Sequence, residues 1–276
     1  MSCSWGPSLV SGNRIGALSV SRLSHLLGKS LIFFMIYLNL PGVSYSGEIR
    51  LAVAASLNPA ISTITAEYHR SHPAISFSIS AGGSGLLARQ IANGAPFDLY
   101  LAASDEWISF LEQAGKVTAG TVAVLAVNRL VFVGVSGSAS SLVDLLKFQR
   151  IALGSPGSVA SGRFAEAALR KAGLYEKLAE QGRLIMAQDV RQALVYADRG
   201  EVDGAFVFST DAALASHVVT LFEVPRDLYP RAICPLALTS SGESNPEAAS
   251  FFVFLQSAEA SAVLQRYGFM IEPARP

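Results

Sequence analysis

Cysteine is nearly missing from this chain, with two residues in 276, Cys3 and Cys234. Cys3 falls in a segment read below as removable, so Cys234 stands alone, which excludes an internal disulfide framework and a thiolate metal cluster. Beside Pro235 it reads as a small buried apolar residue. Histidine is scarce as well, with four in the chain. His69 and His72 are three apart, but no Cys or carboxylate cluster joins them, so no metal site is expected. Net charge is also lacking, because 21 Lys and Arg balance 21 Asp and Glu. A broad basic field for nucleic acid is thereby excluded. No internal repeat and no low-complexity linker interrupts the chain.

Acidic residues are absent from positions 1–46, which carry Arg14, Arg22 and Lys29 ahead of the apolar block Leu31-Ile32-Phe33-Phe34-Met35-Ile36-Tyr37-Leu38. Pro41-Gly42 and the small residues Ser44 and Ser46 follow. This is the layout of a secretory signal peptide, expected to be cleaved after Ser46; its long basic region suggests a start codon set too far upstream. The remaining chain is mildly acidic and has no Cys after the apolar block to carry a lipid. A freely soluble exported protein is expected. Later apolar runs such as Leu125 to Val135 are broken by Asn128-Arg129 and read as strands, not membrane spans.

What is present is an alternation of strand and helix from Gly47 on, the signature of an α/β protein. Strands are expected at Ile49 to Ala54, Ala74 to Ser80, Phe97 to Ala102, Val122 to Val127, Leu130 to Val135, Ile151 to Leu153 and Gly204 to Phe208, with returning segments at Val218 to Phe222 and Pro235 to Thr239. Helices are expected after most of them. The close pair of strands around Asn128-Arg129 marks a crossing into a second lobe. Three segments follow: 1–46 as signal peptide, 47–127 plus 223–276 as a non-contiguous first lobe, and 128–222 as the second.

Four strand-to-helix junctions have one chemical character. Ala54-Ala55-Ser56-Leu57-Asn58-Pro59 leads into a helix for which Asn58 can serve as cap and Pro59 as first residue. Ser80-Ala81-Gly82-Gly83-Ser84-Gly85 precedes the helical Leu86 to Ile91. Gly154-Ser155-Pro156-Gly157-Ser158-Val159-Ala160-Ser161-Gly162 precedes Phe164 to Lys171. Asp189-Val190-Arg191-Gln192 has capping-box spacing. Each junction offers helix-start N–H groups, three of them beside hydroxyls, and together they suggest an uncharged site for an anion. In open α/β sheets such a ligand sits beyond the carboxyl ends of the strands.

At these residues the sequence resembles the periplasmic molybdate-binding proteins, the type II solute-binding component of an ABC importer. The matching segments run in order: Ala54-Ala55-Ser56-Leu57; Ser84 before Leu87-Ala88-Arg89-Gln90-Ile91; Gly94-Ala95-Pro96 before Asp98; Gly154-Ser155-Pro156; Asp189-Val190-Arg191 with Ala193-Leu194; and Arg266-Tyr267-Gly268-Phe269. The resemblance implies a two-lobed type II periplasmic binding protein fold with the ligand cleft between the lobes. It implies capture of molybdate, or tungstate, by neutral donors, periplasmic location, delivery to a membrane permease, and neither cofactor nor catalysis; a monomer is expected. Carried over by position, the ligand hydroxyls and amides are those of Ser56 and Ser84, and the second lobe supplies the N–H groups of Ser161 and Val190. A family Tyr hydroxyl has its counterpart at Phe208, which cannot donate. The Ser161 hydroxyl, where the family often has Ala, or a water is expected to replace it. Another oxyanion such as sulfate or phosphate on the same scaffold is the alternative.

A serine hydrolase is the rival from another class. Gly82-Gly83-Ser84-Gly85-Leu86 departs from the G-x-S-x-G elbow at its last position, and His217 is the one histidine that follows it. Arg89, Arg163 and Arg191 near the turns read as solvated surface residues.

Overall fold

The computed structural model describes residues 47–135 and 137–271; the expected signal peptide lies outside the described residues. In chain order the elements are β1 (Gly47–Ala54), α1 (Asn58–Ser71), β2 (Ile75–Gly82), α2 (Ser84–Ala92), β3 (Leu99–Leu101), α3 (Asp105–Gln113) and β4 (Ala123–Val127). Next come β5 (Leu130–Gly134), a 3-10 helix (Leu142–Lys147), β6 (Ile151–Gly154), α4 (Ala160–Lys171), α5 (Tyr175–Glu180), β7 (Leu184–Ala187), α6 (Val190–Asp198), β8 (Gly204–Phe208), α7 (Ser209–Ala212) and β9 (Val219–Glu223). A second short 3-10 helix (Arg226–Leu228), β10 (Ile233–Leu238), α8 (Pro246–Phe254) and α9 (Ala258–Arg266) complete the described chain.

The strands form two five-stranded sheets, ordered β2-β1-β3-β10-β4 and β7-β6-β8-β5-β9. In the first, β1 runs parallel to β2 and β3, while β10 is antiparallel to β3 and β4. In the second, β6 is parallel to β7 and β8, and β5 is antiparallel to β8 and β9. Parallel neighbours need helical crossovers, which cover both faces and make the central strands continuous apolar runs. Leu51 to Ala54 and all of β5, β6 and β8 are buried accordingly. At the sheet edge, β2 keeps Ile75 inside and exposes Ser76, Ser78 and Ser80.

Two connections join the sheets: Asn128-Arg129 between β4 and β5, and residues 224–232 between β9 and β10. They are bound to each other. The Asn128 N–H donates to Ala232 O (2.8 Å), and the Leu130 N–H donates to the Tyr229 hydroxyl (3.1 Å). The Asn128 side chain reaches α7, donating to Thr210 Oγ1 (2.8 Å) and accepting from Ser209 Oγ (3.1 Å). The crossover is thus a hydrogen-bonded node of buried polar groups.

Sequence expectation and structure differ at Asn58 and at residues 184–187, and two other helix starts have features of their own. Leu57 already has helical backbone angles (φ −85°, ψ −21°), so the chain coils one residue early and Asn58 lies inside α1, where it is not the cap. Ser104 holds the extended cap position of α3, but its hydroxyl makes no capping bond. Leu142–Lys147 is a 3-10 helix closed by an Asp144 capping box. Strand β7 was not anticipated at all; it pairs with β6 along Ile151↔Leu184 to Gly154↔Ala187.

One close packing fixes the start of α4. A Cβ on Gly162 would lie 1.7 Å from the Gly154 carbonyl oxygen, so the helix rests directly on the end of β6. Gly162→Ala should therefore cost ~1–3 kcal/mol of stability, the usual overpacking range. Urea denaturation followed by circular dichroism measures it, and an unchanged midpoint contradicts the close packing.

Candidate functional site

All four junctions lie at carboxyl ends of parallel strands: Ser56 after β1, Ser84 after β2, Ser161 in the turn and helix after β6, and Val190 after β7. The missed strand β7 is what carries the fourth. The structure brings them to one small cavity of about 10 Å³, lined by Ser56, Gly83, Ser84, Ser161, Val190 and Phe208 among others. That is about the room of a single water. No Lys, Arg or His is among the lining residues. Asp189 is the one charged residue there, and its Oδ1 is engaged by the Gln192 N–H (2.9 Å) as the cap of α6.

The donors are helix-start groups. Ser84 and Val190 are the first residues of α2 and α6, and Ser161 is the second of α4, so their N–H groups have no intrahelical carbonyl to bond. They stand at the positive ends of three helix dipoles. The hydroxyls differ in their surroundings. Ser84 Oγ accepts from the Ala103 N–H (3.1 Å) and keeps its proton to give, while its carbonyl accepts from Tyr100 OH (2.7 Å). Burial pushes the Tyr100 phenol well above its ordinary range, against the weaker lowering by its Ser84 bond, so it stays a donor and holds α2 in place. Ser56 Oγ and Ser161 Oγ are buried and have no hydrogen-bond partner among the described residues, and Ser161 is 0% exposed.

Phe208 closes the cavity on the β8 side. Its ring is 2% exposed and packs edge-on against Phe164 at 6.2 Å between centroids, so this wall is apolar.

The two faces are shut on each other. The Gly85 N–H donates to Ser158 O (2.8 Å), and Arg89 Nη1 and Nη2 both donate to Gly157 O at 3.3 Å while stacking on Trp107. Arg163 of α4 forms an ion pair with Glu106 of α3. Burial pushes the Arg163 guanidinium below its ordinary value, and Asp105 opposes that. The faces approach so closely that a Cβ on Gly83 would meet Gln188 O at 3.0 Å and Ser158 O at 3.1 Å. The three arginines keep exposed or half-exposed positions outside the cavity lining, and they have partners as well: Arg89 and Arg163 fasten the rim, and Arg191 lies 3.6 Å from the buried Asp211. Exposure at a cleft rim is decided by the opposite face, which local sequence does not display.

Among the described residues no group of three or more His, Cys, Asp or Glu is placed to hold a metal ion. No described helix is long and apolar enough to cross a membrane.

Two twisted α/β sheets meeting over a cleft of helix N-termini define a solute-binding protein of the two-lobed type II periplasmic class. The sequence pattern of the bacterial extracellular solute-binding protein family matches residues 49–270, and the chain belongs to that family. It is 32% identical over 238 residues to the molybdate-binding protein ModA of Haemophilus influenzae, covering 83% of this chain and 92% of that protein. Among solved structures, the periplasmic molybdate-binding protein of Azotobacter vinelandii superimposes with a TM-score of 0.75 at 22% identity, over 82% of this chain and all of that one. The sulfate-binding protein SubI of Mycobacterium tuberculosis gives a TM-score of 0.69 at 20% identity, over 83% and 88%. At those identities the two structures speak for the fold.

A buried hydroxyl without a partner burdens the protein that carries it, by about 1–3 kcal/mol. Ser56→Ala and Ser161→Ala should therefore leave the ligand-free protein equally stable or up to ~1 kcal/mol more stable. Thermal unfolding in oxyanion-free buffer measures this. A loss of 2 kcal/mol or more would mean that the hydroxyls have structural partners.

Proposed function

We propose that the protein captures molybdate outside the cytoplasm and hands it to the membrane permease of an ABC importer. Tungstate, of the same shape and charge, is an equivalent ligand. The observation that carries the reading is the pair of buried, unpartnered hydroxyls, Ser56 Oγ and Ser161 Oγ, facing one cavity with three helix starts and no cationic side chain. A tetrahedral dianion that stays ionised at neutral pH needs donors and offers none; this cavity has donors to spare. Ser56 and Ser84 bind through hydroxyl and amide, Val190 through its amide, and Ser161 through both. The Ser161 hydroxyl takes the part that Phe208 cannot.

Closing over the ion strips its water, which costs tens of kcal/mol for an unpaired ion in a dry medium. Charge-assisted hydrogen bonds return about 1.5–3 kcal/mol each, and each helix end adds about 0.3–2 kcal/mol. Uncharged donors leave the complex able to reopen, as delivery requires. The binding parts are 47–127 plus 223–276 and 128–222, which swing about the paired connections at Asn128-Arg129 and 224–232, with the chain acting as a monomer and without a cofactor or catalysis. The closed cavity has room for about one water, so the walls part slightly on loading.

Sulfate is the second reading, favoured by the apolar Phe208 wall, which reduces the donor count. Calorimetric titration of residues 47–276 with molybdate, tungstate, sulfate and phosphate decides between them. Molybdate and tungstate should bind well above the other two, and at one hundred times the dissociation constant should stabilise the fold by ~2.7 kcal/mol. Ser161→Ala should weaken molybdate about tenfold or more, the worth of one charge-assisted bond. Tighter binding of sulfate overturns the choice of ligand, and unchanged affinity of the Ser161 variant removes its hydroxyl from the site.

A further inference from the structure

A buried carboxylate lies on the short helix that follows Phe208, one wall of the cavity. Asp211 is 1% exposed, and among the described residues its oxygens have only the Phe208 N–H and Arg191 nearby, neither in ordinary hydrogen-bond geometry. Its nearest cation is Arg191, with Nη1 at 3.6 Å, and that nitrogen is itself buried without a bond. Each partner belongs to a cavity-lining segment: Arg191 follows Val190, and Asp211 lies three residues past Phe208 on α7, the helix tied to the Asn128 crossover.

We propose that Arg191 and Asp211 are a positioning pair for anion capture, in which ligand binding is coupled to uptake of one proton by the Asp211 carboxyl. The coupling rests on the ligand being an anion, as proposed above. With Asp211 ionised, Arg191 is compensated and a negative charge lies on the helix next to the Phe208 wall. With Asp211 protonated, that negative charge is gone and Arg191 is a free positive charge one residue from the Val190 amide. An arriving dianion favours the second state, and by reciprocity the second state favours the dianion.

The surroundings support such a carboxyl. The groups facing it are Arg191 and Asp189 from α6 and its cap, and Cys234 from β10. Strands β5 and β8 contribute no titratable side chain, and Glu223 of β9 is paired with Arg129 at 3.2 Å. Burial raises the Asp211 carboxyl to about 7, opposed by Arg191 and assisted by Asp189. Cys234 is pushed up to about 12, by burial first and Asp211 second, and stays a thiol.

The sign follows from linkage. The bound anion lifts the Asp211 carboxyl above its ligand-free value, so affinity is highest below about pH 7 and falls as pH rises through and above it. A rise of one pK unit is a tenfold change. Calorimetry of molybdate binding between pH 6 and 9, in buffers of different ionisation enthalpy, should show fractional proton uptake and a several-fold fall in affinity. Asp211→Asn should hold the acid-side affinity at every pH and take up no proton. If that variant does not fold, Arg191→Gln should move the fall to higher pH, because the cation that favours ionisation is gone. Carboxyl carbon NMR of the ligand-free protein should place the Asp211 titration near 7. Binding without proton uptake, or a titration in the ordinary acidic range, overturns the proposal. Failure of all four oxyanions to bind sinks the function reading, and the coupling with it.

Discussion

Everything in this molecule turns on the cost of burying a polar group without a partner. In most of the fold that cost is avoided within the chain: backbone groups pair in the two sheets, Asp98 accepts from the Arg50 amide and guanidinium, and Tyr229 covers the Leu130 amide. At the meeting of β1, β2, β6 and β7 it is not avoided. Two serine hydroxyls and a set of helix-start amides are brought together and left unmatched. Such an arrangement persists because the surrounding packing is stiff enough to hold it. Gly162 seated on the Gly154 carbonyl and Tyr100 donating to the Ser84 carbonyl show how that stiffness is built.

Much of this was legible in the residues. Ser, Gly, Asn and Pro clusters between an apolar run and an amphipathic one mark strand-to-helix turns for local reasons: capping hydroxyls, a fixed proline φ, close backbone approach. Ser56, Ser84, Ser161, Val190 and Phe208 were picked out from those turns by the family resemblance, and the structure brings all five to one cavity. Strand β7 could not be seen because Leu184-Ile185-Met186-Ala187 is a four-residue edge strand with Met186 exposed, giving neither an alternation nor a long buried run. The Asn58 cap failed because a cap depends on one residue's backbone angles, which propensity does not settle.

The rim and the buried pair were hidden for a different reason. Arg89, Arg163 and Arg191 look solvent-bound in sequence because each sits on the polar side of its own helix. Their partners, Gly157, Glu106 and Asp211, lie 20 to 70 positions away along the chain. Asp211 reads as an ordinary helix-start acid until α6 and β10 close over it. Long-range burial, not local pattern, decides whether such a group is a surface charge or a titrating one.

The return of the chain in β10 has a consequence for assembly. This strand fills the place between β3 and β4, yet it is made after the whole second sheet. A chain emerging from its amino end can complete β5 to β9 while the first sheet still lacks an inner strand and presents raw edges on β3 and β4. The second sheet needs nothing from beyond β9, whereas the first cannot be closed until residues 233–238 have been made, so its two inner edges depend on the chain's last-made strand.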